Sequence, residues 1–220
     1  MHQFADRRAA GVELARAVRG LQLDGPLVVL GLPRGGVPVA FEVARALGAP
    51  LDVLVVRKIG MPGQPELAIG AIASGNIILR EPGTITHWGG DQGAFAALAA
   101  REQPELERRE RTYRRGLPAL ELKGKTVVLV DDGLATGATM LAAVRAARQA
   151  RARFVIVAAP LASPEAAALV GAEADRVAVL QTPPHLRSIG EWYGDFTQLE
   201  DDDVREILTR AHATQRTRSA

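Results

Sequence analysis

Five short apolar runs punctuate the chain: Leu27–Leu32 (LVVLGL), Leu51–Val56 (LDVLVV), Thr126–Val130 (TVVLV), Phe154–Ala158 (FVIVA) and a weaker one at Val177–Leu180. Their apolar residues are continuous rather than alternating, as in strands covered on both faces. Helical periodicity follows most of them, at Val37–Leu47, Ala138–Ala150 and Pro164–Val170. Strand-helix alternation predicts an α/β fold of three layers, a mainly parallel five-stranded sheet flanked by helices, with ligands at the carboxyl ends of the strands. Asp6–Val18 reads as an amphipathic helix. Leu67–Ala73 and Asn76–Leu79 read as a hairpin around Ser74-Gly75. Asp91–Arg115 is helical in pattern, interrupted or restarted at Pro104, and its alternating charges read as a solvated face. Asp201–Asp203 reads as the acidic start of a last helix. A single domain over 1–220 is expected.

Composition narrows the class. Of 220 residues, 47% are hydrophobic and 24% charged, which sets the chain apart from disordered sequences. Mean hydropathy is +0.03, and no apolar run approaches the length of a membrane span. The first eight residues lack the apolar stretch of an export signal, so a cytoplasmic location is expected. The absence of cysteine excludes disulfides, cysteine-zinc sites and a thiol nucleophile. The four histidines show no metal-ligand spacing. The pI of about 9.4 coexists with a net charge of only +2, because 24 of the 27 cations are arginine. That balance is a weak signal for nucleic acid.

The chemistry concentrates in Val127–Met140, VVLVDDGLATGATM. A strand ends in two acids, Asp131 and Asp132. A loop of small residues follows (Gly133, Leu134, Ala135, Thr136, Gly137, Ala138, Thr139), and a helix begins. Backbone N–H groups at a helix N-terminus bind phosphate, and Thr136 and Thr139 add hydroxyl donors. Two adjacent carboxylates would repel that phosphate directly, but they accept hydrogen bonds from a vicinal diol. Together these features point to a phosphorylated sugar. Rival motifs fail on spacing. A P-loop needs Gly-Lys-Ser/Thr where this chain has Gly137-Ala138-Thr139, and neither the dinucleotide G-x-G-x-x-G at this turn nor a G-x-S-x-G elbow is present.

The stretch resembles the phosphoribosyl-pyrophosphate (PRPP) signature of the type I phosphoribosyltransferase family: four hydrophobics, two acids, three variable residues, then Thr-Gly-x-Thr, with every position filled. The resemblance covers a core at about 27–180 and implies a helical insertion at about 82–124, a C-terminal segment at about 181–213 as a hood, the fold of that family, and transfer of ribose 5-phosphate from PRPP to a nitrogenous base with release of pyrophosphate. It implies that Asp131 and Asp132 bind the ribose hydroxyls and that Gly133 to Thr139 hold the 5′-phosphate. The Mg²⁺ expected with PRPP would touch both acids only through ribose or water. Pro33-Arg34-Gly35-Gly36 looks like the family's pyrophosphate loop, where the glycines allow close approach and positive φ and Arg34 supplies a cation. Arg57 and Lys58 follow the second apolar run, where they read either as pyrophosphate ligands, Lys58 the better placed, or as surface cations. Met61–Glu66 is similar in place to the loop that closes over the family's active site. By resemblance, the candidate catalytic set is Asp131, Asp132, Lys58 and Arg34.

The acceptor stays open. Arg-Lys-x-Gly, Glu66–Gly70 (ELAIG) and Asp-Asp-x-Leu-Ala-Thr-Gly look most like adenine-type members, whereas hypoxanthine/guanine-type members carry Asp where this chain has Ala135. Trp192, Tyr193 and Phe196 are three of nine aromatics and read either as base-stacking rings or as packing; Glu66 is a further candidate contact to base or pyrophosphate. The expected partners are PRPP, a small base and a second copy in a homodimer, with no membrane. Two other uses of the same pocket remain: nucleotide sensing by a regulatory protein, or phosphorolysis or hydrolysis of ribose 5-phosphate compounds.

Overall fold

The structure is a computed structural model that describes residues 4–21, 23–81 and 91–219, without the side chains of 65, 66 and 216–219. Five strands form the main sheet: β1 (Leu27–Gly31), β2 (Leu51–Val53), β6 (Thr126–Val130), β7 (Phe154–Leu161) and β8 (Arg176–Gln181). Their order is β2-β1-β6-β7-β8, and every pairing is parallel. Side chains alternate across the sheet with the period of two that extended backbone imposes. Val128 and Val130 join one core with Leu14, Val43, Val204 and Leu208. Val127 and Leu129 join the other with Met140, Val144 and Val170. The first layer is α1 (Arg7–Arg19), α2 (Gly36–Leu47) and α6 (Asp201–Ser219); the second is α4 (Ala138–Gln149) and α5 (Pro164–Gly171). The expected three-layer arrangement is therefore present. Gly11 lets α1 lie directly on α2, since a Cβ there would sit 2.9 Å from the Val39 carbonyl oxygen.

A second sheet departs from the expectation. Leu51–Val56 does not form one strand: β2 stops at Val53 because its partner β1 ends at Gly31, where the register Gly31↔Val53 closes the pairing. The chain then enters an antiparallel sheet, β3 (Val56–Met61), β4 (Gln64–Ala73) and β5 (Ile77–Arg80). Ser74 holds that transition, its hydroxyl accepting from Val55 N at 3.0 Å and its amide donating to Val55 O at 2.9 Å. The β4–β5 turn falls at Ser74–Asn76, where Gly75 and Asn76 take φ of 82° and 59°. Arg57 and Lys58 are consequently strand residues, and Met61–Glu66 spans the tip of the β3–β4 hairpin.

The stretch expected as an insertion carries α3 (Gln92–Tyr113), which runs through Pro104 unbroken, and its residues 82–90 lie outside the described residues. The lost hydrogen bond at Pro104 is offset by anchors on both sides: Phe95 and Ala99 before it, Leu106 and Tyr113 after it, all buried in the core. Its charged face is not wholly solvated either, since Glu102 and Arg108 reach other elements. Among the described residues, no helix is long and apolar enough to cross a membrane.

Candidate functional site

In chain order the main-sheet strands run 2-1-3-4-5, so connections leave in opposite directions from β1 and β6. The crevice at that reversal, outside the carboxyl ends of the strands, is where open α/β sheets bind ligands. Two loops form it here, 32–35 after β1 and 131–137 after β6.

The loops touch. A Cβ on Gly35 would lie 2.0 Å from Asp132 Oδ2, and one on Gly36 would lie 2.5 Å from the Val130 carbonyl oxygen. The glycines therefore make room for the acid pair. The positive φ expected of them is not found: Gly35 has φ of −61°, and Gly36 opens α2. Gly35→Ala is expected to displace Asp132 and cost about 1–3 kcal/mol of overpacking strain, read as a drop in thermal midpoint.

Asp131 and Asp132 are mostly covered. Asp132 N donates to Asp131 Oδ1 at 2.9 Å. Arg7 Nε donates to Asp132 Oδ2 at 2.8 Å, and the Tyr193 hydroxyl donates to the Asp132 carbonyl at 2.6 Å. Burial, reinforced by the Asp132 charge, pushes the Asp131 carboxyl well above the usual carboxylate range. Burial raises Asp132 too, with the Arg7 hydrogen bond pulling against it. The pair is thus electrostatically strained and suited to accept hydrogen bonds from hydroxyl groups.

The phosphate-type loop is sewn to the sheet from behind. Leu134 N donates to Leu161 O at 2.9 Å, and Ser163 donates from its amide to Leu134 O at 2.9 Å and from its hydroxyl to Ala135 O at 2.7 Å. In front, Ala135 and Thr136 are exposed. Gly137 immediately precedes α4 in the left-handed region at φ of 75°, and no side chain caps the helix apart from a long 3.4 Å contact of Thr136 Oγ1 with Ala138 N. First-turn N–H groups have no partner within the helix, so this end can receive an anion.

The cations are distributed. The Pro33–Arg34 peptide is cis, and Arg34 Nη1 lies 3.2 Å from Glu200 Oε2 and 4.0 Å from Asp201 Oδ1. Arg57 and Lys58 point to opposite sides of β3, as strand neighbours must. Arg57 Nε donates to Glu102 Oε2 on α3 at 2.8 Å. Exposed Lys58 lines a cavity of about 230 Å³ bounded by Leu79, Arg80, Leu141, Arg145 and Ala138, the first residue of α4. Only Lys58 of the two is thus on the side of the phosphate-type loop.

Both chain ends close over the acids. Phe4 N donates to Trp192 O, and Gly194 N donates back to Phe4 O, each at 2.8 Å. Trp192 and Tyr193 are buried with Phe4, Ala10 and Leu161. Tyr193 stacks on Phe196 at 5.0 Å and meets Phe4 at 5.6 Å; the Arg7 guanidinium lies 3.7 Å from the Phe196 ring centre. These faces have packing partners within the protein. The Glu66 side chain lies outside the described residues.

Three contacts at the site are not legible in the sequence. Ser163 was visible only as a Ser-Pro helix start. The Tyr193 hydroxyl contact bridges 61 residues. Arg7 had one signal, a cation in a first helical turn that holds no acid, where carboxylates are the favoured charge.

The model of the phosphoribosyl transferase domain matches residues 3–185. Proteins named "Putative phosphoribosyl transferase" from two strains of Mycobacterium tuberculosis are 46% identical over 213 residues, covering 96% of this chain. The chain spans about half the length of these curated relatives, 48%. The crystal structure of TT1426 from Thermus thermophilus is 46% identical, covers 96% of this chain and 99% of its own, and superposes with a TM-score of 0.87. With its acid pair and uncapped helix at the sheet's reversal point and that match across most of its length, the chain belongs to the phosphoribosyl transferase domain family.

Proposed function

We propose that the chain binds PRPP and transfers its ribose 5-phosphate to a nitrogenous base, releasing pyrophosphate. The observation that carries this reading is the uncapped first turn of α4 beside the Asp131–Asp132 pair. A phosphate monoester on the amides of Ala138 and Thr139, with Thr136 contributing a hydroxyl, would place the ribose diol toward the two carboxylates. Asp132 is held by Arg7 and Gly35's close approach, so the diol would meet a fixed acceptor. The loop at 32–35 faces the pair from across the crevice and supports the pyrophosphate assignment, with Arg34 as its cation once released from Glu200. Lys58 is the second candidate cation; Arg57, engaged with Glu102, is the weaker one.

In the step itself the bond between ribose C1 and the pyrophosphate oxygen breaks, with its electron pair leaving on pyrophosphate. A base nitrogen then donates its lone pair to C1 and loses its proton to solvent. The protein's work is orientation and charge stabilisation. Among the described residues, no group of three or more His, Cys, Asp or Glu side chains forms a metal cage. The two acids suit an Mg²⁺ shared with the substrate through ribose oxygens or water, and such an ion would neutralise pyrophosphate charge. Ala135 lacks the carboxylate that 6-oxopurine transfer is expected to use, which supports an acceptor outside that class. The chain ends cover the crevice and support a hood role, with Trp192, Tyr193 and Phe196 shaping it by packing.

The test is to incubate the chain with PRPP, Mg²⁺ and a panel of bases and to follow pyrophosphate. Release with one base supports transfer. PRPP binding without release from any base overturns transfer and favours nucleotide sensing. Release of free base from nucleotides by phosphate or water reveals the third use of the pocket.

A further inference from the structure

Arg7 is the first residue of α1, directly after the cap Asp6. A cation there opposes the helix dipole, and its neighbours show what holds it. Its Nε lies 2.8 Å from Asp132 Oδ2, its Nη1 donates to the Thr197 carbonyl at 2.9 Å, and its plane covers Phe196 at 3.7 Å. The side chain is only 12% exposed, against 75% for Arg8 one residue on. Every one of these partners belongs to the acid pair or the C-terminal segment, more than a hundred residues away. Among the described residues, Arg7 is the one cation paired with either acid.

We infer that Arg7 is a positioning residue for the sugar-phosphate site: it fixes the Asp132 carboxylate and cancels one of the two negative charges that an incoming polyanion meets. The inference rests on the PRPP reading above and deepens it. Two adjacent acids facing a pentaanionic sugar would repel it. A cation stacked on a ring and bonded to the second acid lowers that repulsion while leaving the remaining carboxylate lone pairs for hydroxyls. Packing alone does not account for the choice, because an aliphatic side chain would cover Phe196 without neutralising Asp132. The hydrogen bond from Tyr193 to the Asp132 carbonyl fixes the same residue from the backbone side, so main chain and side chain are both held by the hood.

The experiment is a double-mutant cycle read by calorimetric binding of PRPP with Mg²⁺ to the wild-type chain, Arg7→Met, Asp132→Asn and the pair. Arg7→Met is expected to weaken binding about ten- to a hundredfold. In the Asp132→Asn background the same change is expected to add little, since Arg7 acts through that carboxylate. Arg7→Lys, which keeps the charge, recovers part of the affinity, whereas a role confined to holding the hood would give Lys and Met the same binding. Phe196→Leu, which leaves the Arg7 charge but removes its platform, replaces Arg7→Met in the cycle if that variant does not fold. Unchanged affinity in Arg7→Met, or fully additive losses, overturns the role of Arg7 while leaving PRPP binding intact. Failure of the wild-type chain to bind PRPP overturns the reading beneath it and this role together.

Discussion

Replacing Asp131 and Asp132 together with asparagine is expected to lower PRPP affinity by at least about a hundredfold, taking about 1.5–3 kcal/mol for each hydrogen bond to a charged acceptor. Asp131→Asn alone is expected to move binding and stability in opposite directions. Asp131 is mostly covered beside another carboxylate and, unlike Asp132, accepts from no cation among the described residues. Neutralising an ill-compensated buried charge with an isostere stabilises by about 1–2 kcal/mol, or several degrees in thermal midpoint for a chain of this size. Asn keeps the acceptor that Asp132 N needs. The pH dependence follows from the direction of the shift. A carboxyl whose folded pKa is raised contributes stability that is fully present below its unfolded pKa and is lost as pH rises through the folded value. The variant's advantage should therefore be largest on the alkaline side of that folded value and should close on acidification, as wild-type Asp131 takes up a proton. Thermal melts across that range, beside PRPP titrations, check both signs. A variant less stable than wild type at pH 8 would show that the Asp131 charge is compensated after all. Such a trade of stability for a charged site is common where a pocket must receive a ligand.

The second large effect is far from the crevice. Arg114, just past α3, makes a bidentate pair with Asp52 in β2, both bonds 2.9 Å, and donates to Pro118 O at 2.8 Å. The two side chains are 11% and 15% exposed. Arg114→Ala leaves Asp52 buried without its partner, which costs about 3–5 kcal/mol and lowers the thermal midpoint by on the order of 10 °C. The joint change Asp52→Asn with Arg114→Met removes both charges and should cost much less. Denaturant melts with a shifted midpoint and unchanged slope would place the loss in the native state. Equal destabilisation by the single and the joint change would refute the buried-charge account. The pair tethers the insertion to the edge strand of the main sheet, which keeps α3 over β3 and so keeps Arg57 on Glu102, away from the crevice.

The main sheet was legible because burying a strand on both faces demands an unbroken apolar run, and LVVLG, TVVLV and FVIVA answer that demand locally. The acid pair and the helix start were legible for a similar reason: a loop of small residues between a buried strand and a helix leaves few arrangements for two carboxylates. Where the apolar run Leu51–Val56 splits was not legible. Its break is set by the length of β1, the neighbour it must hydrogen-bond, and no property of the run reveals that length. For Pro104 the local rule was overridden by anchors at Phe95, Leu106 and Tyr113 that only packing supplies.

Local chain chemistry thus dictates the parallel sheet, the paired acids and the open helix start beside them, since each depends on neighbours a few residues apart. Which cations come near them is settled by assembly. Strand pleating sends Lys58 toward α4 and Arg57 toward α3, and Arg7 reaches Asp132 across 125 positions only because α1 and the C-terminal segment zip together over the crevice. Ion pairing of that kind is a matter of distance in space, on which spacing along the chain has no hold.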